Sequence, residues 1–232
     1  MLASRLRRLA RSCVAAILLL VAGAPAMAET YAATAGNYTV FTNFTAPCGL
    51  GTCANYLNTM NASGTFTTAA PLPANLAAQP IRPLMTAFRF TDGLTIYDSS
   101  DPNVRVRRAD VSTNASGSVT AADFLIQRWQ TGGVHGAGDR LDQVRVANGS
   151  TTGLHNLTCN TVVPVVIDPD SCFSVNLDAS TSRADGPGAL FAGAVVVAAV
   201  SVPAIPTLST WALLVLAGVM ALAVARSRST RL

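Results

Sequence analysis

Two long apolar runs bracket the chain, and between them apolar and polar positions alternate over short stretches. The first run, residues 13–23, is 11 residues long, follows an arginine-rich start and leads into Ala26-Met27-Ala28. That is the order of a secretory signal peptide with a small-x-small cleavage site, and so short a core does not span a bilayer as a helix. Residues 14–21 have no polar face, which argues against an ordinary amphipathic first helix. Residues 1–28 are therefore read as a signal peptide, cut between Ala28 and Glu29. The second run, residues 208–225, has 18 residues and no charge. As a helix it covers about 27 Å, close to the hydrocarbon thickness. Its five Leu and three Val contribute about −2 to −5 kcal/mol towards insertion. Trp211 stands at its start, and Arg226, Arg228 and Arg231 follow it, as expected of a cytoplasmic end. Residues 226–232 form the basic tail of this topology, N-terminus outside.

Residues 29–201 read as an all-β ectodomain, an antiparallel β-sandwich. Short alternating stretches stand at 38–44, 64–68, 104–107, 124–129, 144–147, 162–167 and 173–177, with no sustained helical period. The clearest unit is a hairpin over 88–97, in which Phe88, Phe90, Leu94 and Ile96 alternate with polar neighbours and Asp92-Gly93 is a two-residue turn. Asn114 to Gly117 is a further turn signal, and 189–202 reads as the last strand, with a second membrane-associated segment as the alternative.

Charge changes the picture mainly by where it lies. All 16 basic residues are arginine, and 11 of the 12 acids are aspartate. Seven arginines belong to the two ends, so the middle carries nine against 12 acids, a net charge of −3. A nucleic-acid binder concentrates positive charge on its folded domain, so nucleic acid is excluded as a partner.

Between the sandwich and the second apolar run, Pro203 and Pro206 in the linker 202–207 stop a preceding strand. The string Ile205-Pro206-Thr207-Leu208-Ser209-Thr210-Trp211, the helix and the arginine cluster together resemble the IPTL-CTERM sorting signal, a relative of PEP-CTERM. Thr210 and Ala212 stand where members of that family usually carry an acid and a glycine. The resemblance implies an exported protein of a Gram-negative bacterium, cut near Ile205, Pro206, Thr207, Leu208, Ser209 and Trp211 by a membrane-embedded exosortase. Residues 64–100, with a G-x-F-T strand, a P-L-x-A-N-L loop and an F-x-F-x-D-G hairpin, also resemble the ectodomains of PEP-CTERM-type exported proteins. That likeness implies no enzymatic activity.

Four cysteines remain once Cys13 leaves with the signal peptide: Cys48, Cys53, Cys159 and Cys172. In an exported chain an even number reads as two disulfides, and three pairings exist. Cys48–Cys53 and Cys159–Cys172 are favoured, because each closes a local loop containing Gly or Pro. The spacings C-x4-C and C-x12-C are loose for a four-cysteine zinc site.

Candidate chemistry is sparse. His135 lies in a glycine-rich loop and His155 precedes Cys159; no G-x-S-x-G string accompanies them, and both read as loop histidines. Asp98/Asp101, Asp139/Asp142 and Asp168/Asp170 cluster without matching an EF-hand, and turn formation accounts for most of them. Arg105 and Arg107 share the solvent face of a strand, beside Arg108. Six N-x-S/T strings, at Asn37, Asn43, Asn61, Asn114, Asn148 and Asn156, read as chance in so Thr-, Ser- and Asn-rich a chain.

The expectation is a non-enzymatic cell-surface or extracellular-matrix protein without cofactor or metal. It is anchored in the inner membrane before processing. Its partners are the secretion translocon, signal peptidase and the exosortase-type protease. The alternative is a carbohydrate-binding module or secreted hydrolase acting on exopolysaccharide. A pocket holding two carboxylates, or Asp with a histidine, favours the enzyme; a face lined by Tyr or Trp favours sugar binding.

Overall fold

The computed structural model describes residues 28–163 and 170–193. The cleavage residue Ala26, the linker and sorting motif, the apolar run 208–225 and the basic tail lie outside the described residues. Among the described residues no helix is long and apolar enough to cross a membrane.

The described chain is all-β and antiparallel, apart from one 3-10 turn at Arg82–Leu84. One sheet contains β1 (Glu29–Thr34), β3 (Ser63–Thr68), β5 (Met85–Thr91), β6 (Ile96–Asp98) and β13 (Leu190–Ala192). Their order is β13-β1-β3-β5-β6. The other contains β2 (Val40–Thr42), β4 (Gln79–Pro80), β7 (Val104–Thr113), β8 (Val119–Trp129), β9 (Arg140–Ala147), β10 (Thr151–Val163) and β12 (Ser182–Gly186). These run β2-β12-β10-β9-β8-β7-β4, and β11 (Ser171–Asn176) pairs with β10 as well.

The two inner faces meet in one aromatic core. Tyr31 of β1 stacks on Phe66 of β3 at 4.8 Å between ring centroids. Phe124, from β8 of the other sheet, lies 5.0 Å from Phe66 and 5.1 Å from Phe90 of β5. Along β8 the buried positions Ala122, Phe124 and Ile126 recur at every second residue, the periodicity of a strand with one face inward. A smaller cluster, outside that core, packs Trp129, Leu141, Leu154 and Leu157 around Cys159 and Cys172.

Disulfides join Cys48 to Cys53 and Cys159 to Cys172, the pairing favoured from sequence. The second ties β10 to β11; closing a loop of this length restricts the unfolded chain by about 3 kcal/mol.

The hairpin over 88–97 exists with a different turn. Thr91 pairs with Ile96, so the connection is the four residues 92–95, and Phe90 stands opposite Tyr97. Tyr97 is fully buried, and Ile96 is 49% exposed. The stretch 38–44 is likewise out of phase with its reading: Tyr38 and Phe41 turn towards the core while Val40 is exposed. The turn at Asn114 to Gly117 is as expected. Asn114 Oδ1 accepts the amides of Ser116 and Ser118, and Gly117 takes φ +81°.

Candidate functional site

The ladder between β9 and β10 breaks at one point. Leu154 pairs with Gln143 and Leu157 with Leu141, so His155 and Asn156 together oppose the single residue Asp142. This is a β-bulge, a device that bends a strand and re-aims side chains. Asn156 carries φ +62°, the left-handed region that asparagine tolerates better than most residues. The bulge sends the Asn156 amide towards the Cys48–Cys53 loop, where Nδ2 donates to the carbonyls of Leu50 (2.7 Å) and Ser180 (3.1 Å). It leaves His155 beside Asp142.

Asp142 is almost wholly enclosed, with 3% of its side chain exposed. Oδ1 accepts the Asn156 amide at 2.9 Å and Gln130 Nε2 at 3.0 Å; Oδ2 accepts the Thr95 hydroxyl at 3.0 Å. His155 Nδ1 lies 2.9 Å from Oδ1 as a charge contact, and neither ring nitrogen has an aligned hydrogen-bond partner. Burial alone would raise the Asp142 carboxyl, but His155, the Asn156 amide and Gln130 outweigh it and hold it below the usual carboxylate range. Burial would lower the His155 imidazole. The Asp142 carboxylate prevails, aided by Asp92 and by the Thr52 carbonyl, which closes no aligned bond, and the imidazole is raised. Each partner thus favours the charged form of the other.

These two residues stand at the wall of a cleft of about 460 Å³. The β5–β6 connection and β6 supply Leu94, Thr95, Ile96 and Asp98; the end of β8 and its following residues supply Arg128 and Gln130. Asp101 and Thr52 complete it. Thr52 comes from the disulfide-closed loop, whose position is set by its amide donating to Gln130 Oε1 at 2.9 Å. Gly51 makes that close seating feasible. It takes φ +73°, and a Cβ there would fall 2.1 Å from Asn156 Oδ1.

Behind the cleft is a second buried carboxylate. Asp92 Oδ2 accepts the hydroxyls of Tyr56 (2.8 Å) and Tyr97 (2.9 Å), and Oδ1 accepts the amides of Leu94 and Thr95. Burial raises its carboxyl despite these four donors. Asp92 is fully buried and saturated, which makes it a clamp on the 92–95 turn; it has no route to a ligand.

The accessible carboxylates behave oppositely. The Ser100 amide and hydroxyl and Arg89 hold Asp98 low. Burial of Asp101 is outweighed by the Asn103 amide and Arg128, which lower it. The cleft therefore presents carboxylates fixed in their anionic form, and no carboxylic acid to protonate a leaving group.

Of the residues singled out from sequence, Asp98, Asp101, Asp142 and His155 come together here. His155 and Asp142 sit on strands, contrary to the loop and turn readings. His135 does lie in a loop, but as a buried ring stacked on Trp129 at 4.4 Å, with Nε2 donating to the Thr131 carbonyl and Nδ1 bonded to the Asp170 carboxylate. Trp129 is fully buried and offers no platform to a sugar. Asp139 accepts the Gly136 amide in its own loop. Arg105 and Arg107 alternate with buried Val104 and Val106, as expected, and a bulge between Val106 and Arg108 follows. Arg105 pairs with Asp170, Arg108 pairs with Asp123, and Arg107 lies over the Phe173 ring. Among the described residues, no three or more His, Cys, Asp or Glu side chains are placed to hold a metal ion. Thr52, Thr95, Arg128 and Gln130 gave no sequence signal.

Beyond the described residues, one comparison decides what kind of tail this is. Residues 203–229 match the IPTL-CTERM motif. It is a C-terminal sorting signal, consistent with an exported, membrane-processed protein. The match takes in Ile205, Pro206, Thr207, Leu208, Ser209 and Trp211 with the apolar run and Arg226 and Arg228. No curated protein and no solved structure matches the chain, so the likeness of residues 64–100 to other exported ectodomains gains no support beyond the strings that suggested it.

Proposed function

We propose that this is an exported cell-surface or extracellular-matrix protein of a Gram-negative bacterium, non-enzymatic, whose folded domain is a β-sandwich. It is released from its membrane anchor by an exosortase-type protease. In this reading the translocon and signal peptidase act first, at Ala28-Glu29. The helix 208–225 then holds the domain at the inner membrane until the IPTL-CTERM motif is cut.

The observation that carries the reading is the IPTL-CTERM match at residues 203–229. Two disulfides suit an oxidising compartment outside the cytoplasm. The sandwich rests on two antiparallel sheets sharing the core of Phe66, Phe90 and Phe124. A secreted hydrolase is the weaker alternative. The cleft does join carboxylates to a histidine, but its exposed acids are all held ionised, and a glycosidase needs one protonated near neutrality.

Replacing Pro206 and Trp211 by alanine in the native host tests this. The double variant is expected to accumulate in the membrane fraction at the expense of the surface fraction, by immunoblot. Unchanged surface delivery would contradict recognition of the motif.

A further inference from the structure

The cleft beside Asp142 and His155 has the properties of a built site that the sorting signal does not explain. Its charges cancel in pairs. Asp98 is bound to Arg89 at 2.7 Å, Asp101 to Arg128 at 2.7 Å, and Asp142 faces His155 at 2.9 Å. A phosphate or an ammonium group would therefore meet no net field of opposite sign.

What is left over is hydrogen-bonding capacity. Arg128 holds Asp101 through Nε, and its terminal nitrogens have no hydrogen-bond partner among the described residues. Asp101 Oδ1 accepts only the Asn103 amide and keeps a lone pair. The Thr52 hydroxyl has no partner among the described residues. His155 adds to this: its side chain is only 7% exposed, it lines the cleft, and beyond its charge contact with Asp142 its ring nitrogens close no aligned hydrogen bond among the described residues. Buried polar groups are rarely left so, and a ligand or ordered solvent normally completes them. Leu94 and the half-exposed Ile96 add apolar lining.

We infer that this cleft binds a neutral sugar unit. Sugar hydroxyls both donate and accept, so they can meet the donors of Arg128 and the acceptor of its neighbour Asp101 together. The C–H face of the ring then covers Leu94 and Ile96. The volume of about 460 Å³ lies within the range of about 300–1,000 Å³ usual for small-molecule sites. The bulge at His155-Asn156 and the tethered Cys48–Cys53 loop hold the two walls in place before any ligand arrives.

The test is titration calorimetry on the full chain, purified in a non-glycosidic detergent. The probes are methyl glucoside, methyl galactoside, methyl mannoside and oligomers of N-acetylglucosamine, with glucuronate, glucosamine and inorganic phosphate as charged arms. At least one neutral probe is expected to bind saturably, with Kd of about 1 mM or tighter, and more tightly than any charged arm. Thr52→Trp, which fills the mouth from an exposed position, and Arg128→Met should each weaken it at least tenfold. Thr52→Trp should do so with the melting temperature unchanged. Absence of saturable binding, preference for a charged arm, or binding untouched by Thr52→Trp would overturn the inference. Because binding is read on purified protein, its failure leaves the export reading intact, and a failure of surface delivery leaves this one intact.

Discussion

At the scale of single residues, the wall of the cleft is a charge pair that folding itself creates. Asp142 is held below its ordinary range and His155 above its own. A carboxyl with a depressed folded pKa stabilises above its unfolded value, about 3.9, and loses that contribution as pH falls through the folded value. A histidine with a raised folded pKa stabilises fully below about 6.5 and loses that contribution as pH rises through its folded value. The pair therefore contributes most between about pH 4 and 6.5. Urea unfolding of the wild type and of Asp142→Asn, followed across pH, should show the gap between them widest in that window and narrowing above neutrality. In the window the gap should reach about 3–5 kcal/mol, the usual result of stripping one member from a buried pair. A gap independent of pH would mean that His155 is neutral throughout.

At the scale of elements, the Cys48–Cys53 loop is the part that connects packing to the site. It is short and exposed, and its seating depends on contacts of Gly49 with Ser180, Thr52 with Gln130, and Leu50 and Cys53 with Asn156. Opening the disulfide by the double change Cys48→Ser and Cys53→Ser should lower sugar affinity about tenfold by calorimetry. The melting temperature should fall far less than after Cys159→Ser with Cys172→Ser, since the second bridge lies inside the packed cluster around Trp129. Equal effects of the two double changes on melting would show that the loop belongs to the core. The elements also explain what the sequence made legible. Local alternation and turn residues announced β3, β8, β9 and the Asn114 turn, because each depends on neighbours a few positions away. The phase of β6 was hidden, since Tyr97 is drawn inward by a buried polar network around Asp92, and that of 38–44 because Val40 and Phe41 follow the pairing of β2 with β12. Strands β1 and β12 escaped notice because their buried residues include Ala33, Ala184 and Ser182, small side chains that leave little hydrophobic pattern. The cleft was legible only as separate aspartates and a histidine. The bulge that gathers them is a register property of β9 against β10, with no signature in either strand read alone.

At the scale of the whole molecule, an antiparallel β-rich body is followed by a C-terminal sorting motif. The domain has its aromatic core, its two bridges and a charge-balanced cleft; the address is the IPTL-CTERM motif at residues 203–229. The account stands or falls on whether the domain is parted from that address on its way out of the cell. Intact-mass spectrometry of the protein taken from the cell-surface fraction of its host measures this directly. The predicted species begins at Glu29 and ends near the sorting motif, without Arg226, Arg228 and Arg231. A surface species that still ends in Arg231-Leu232 would contradict the account.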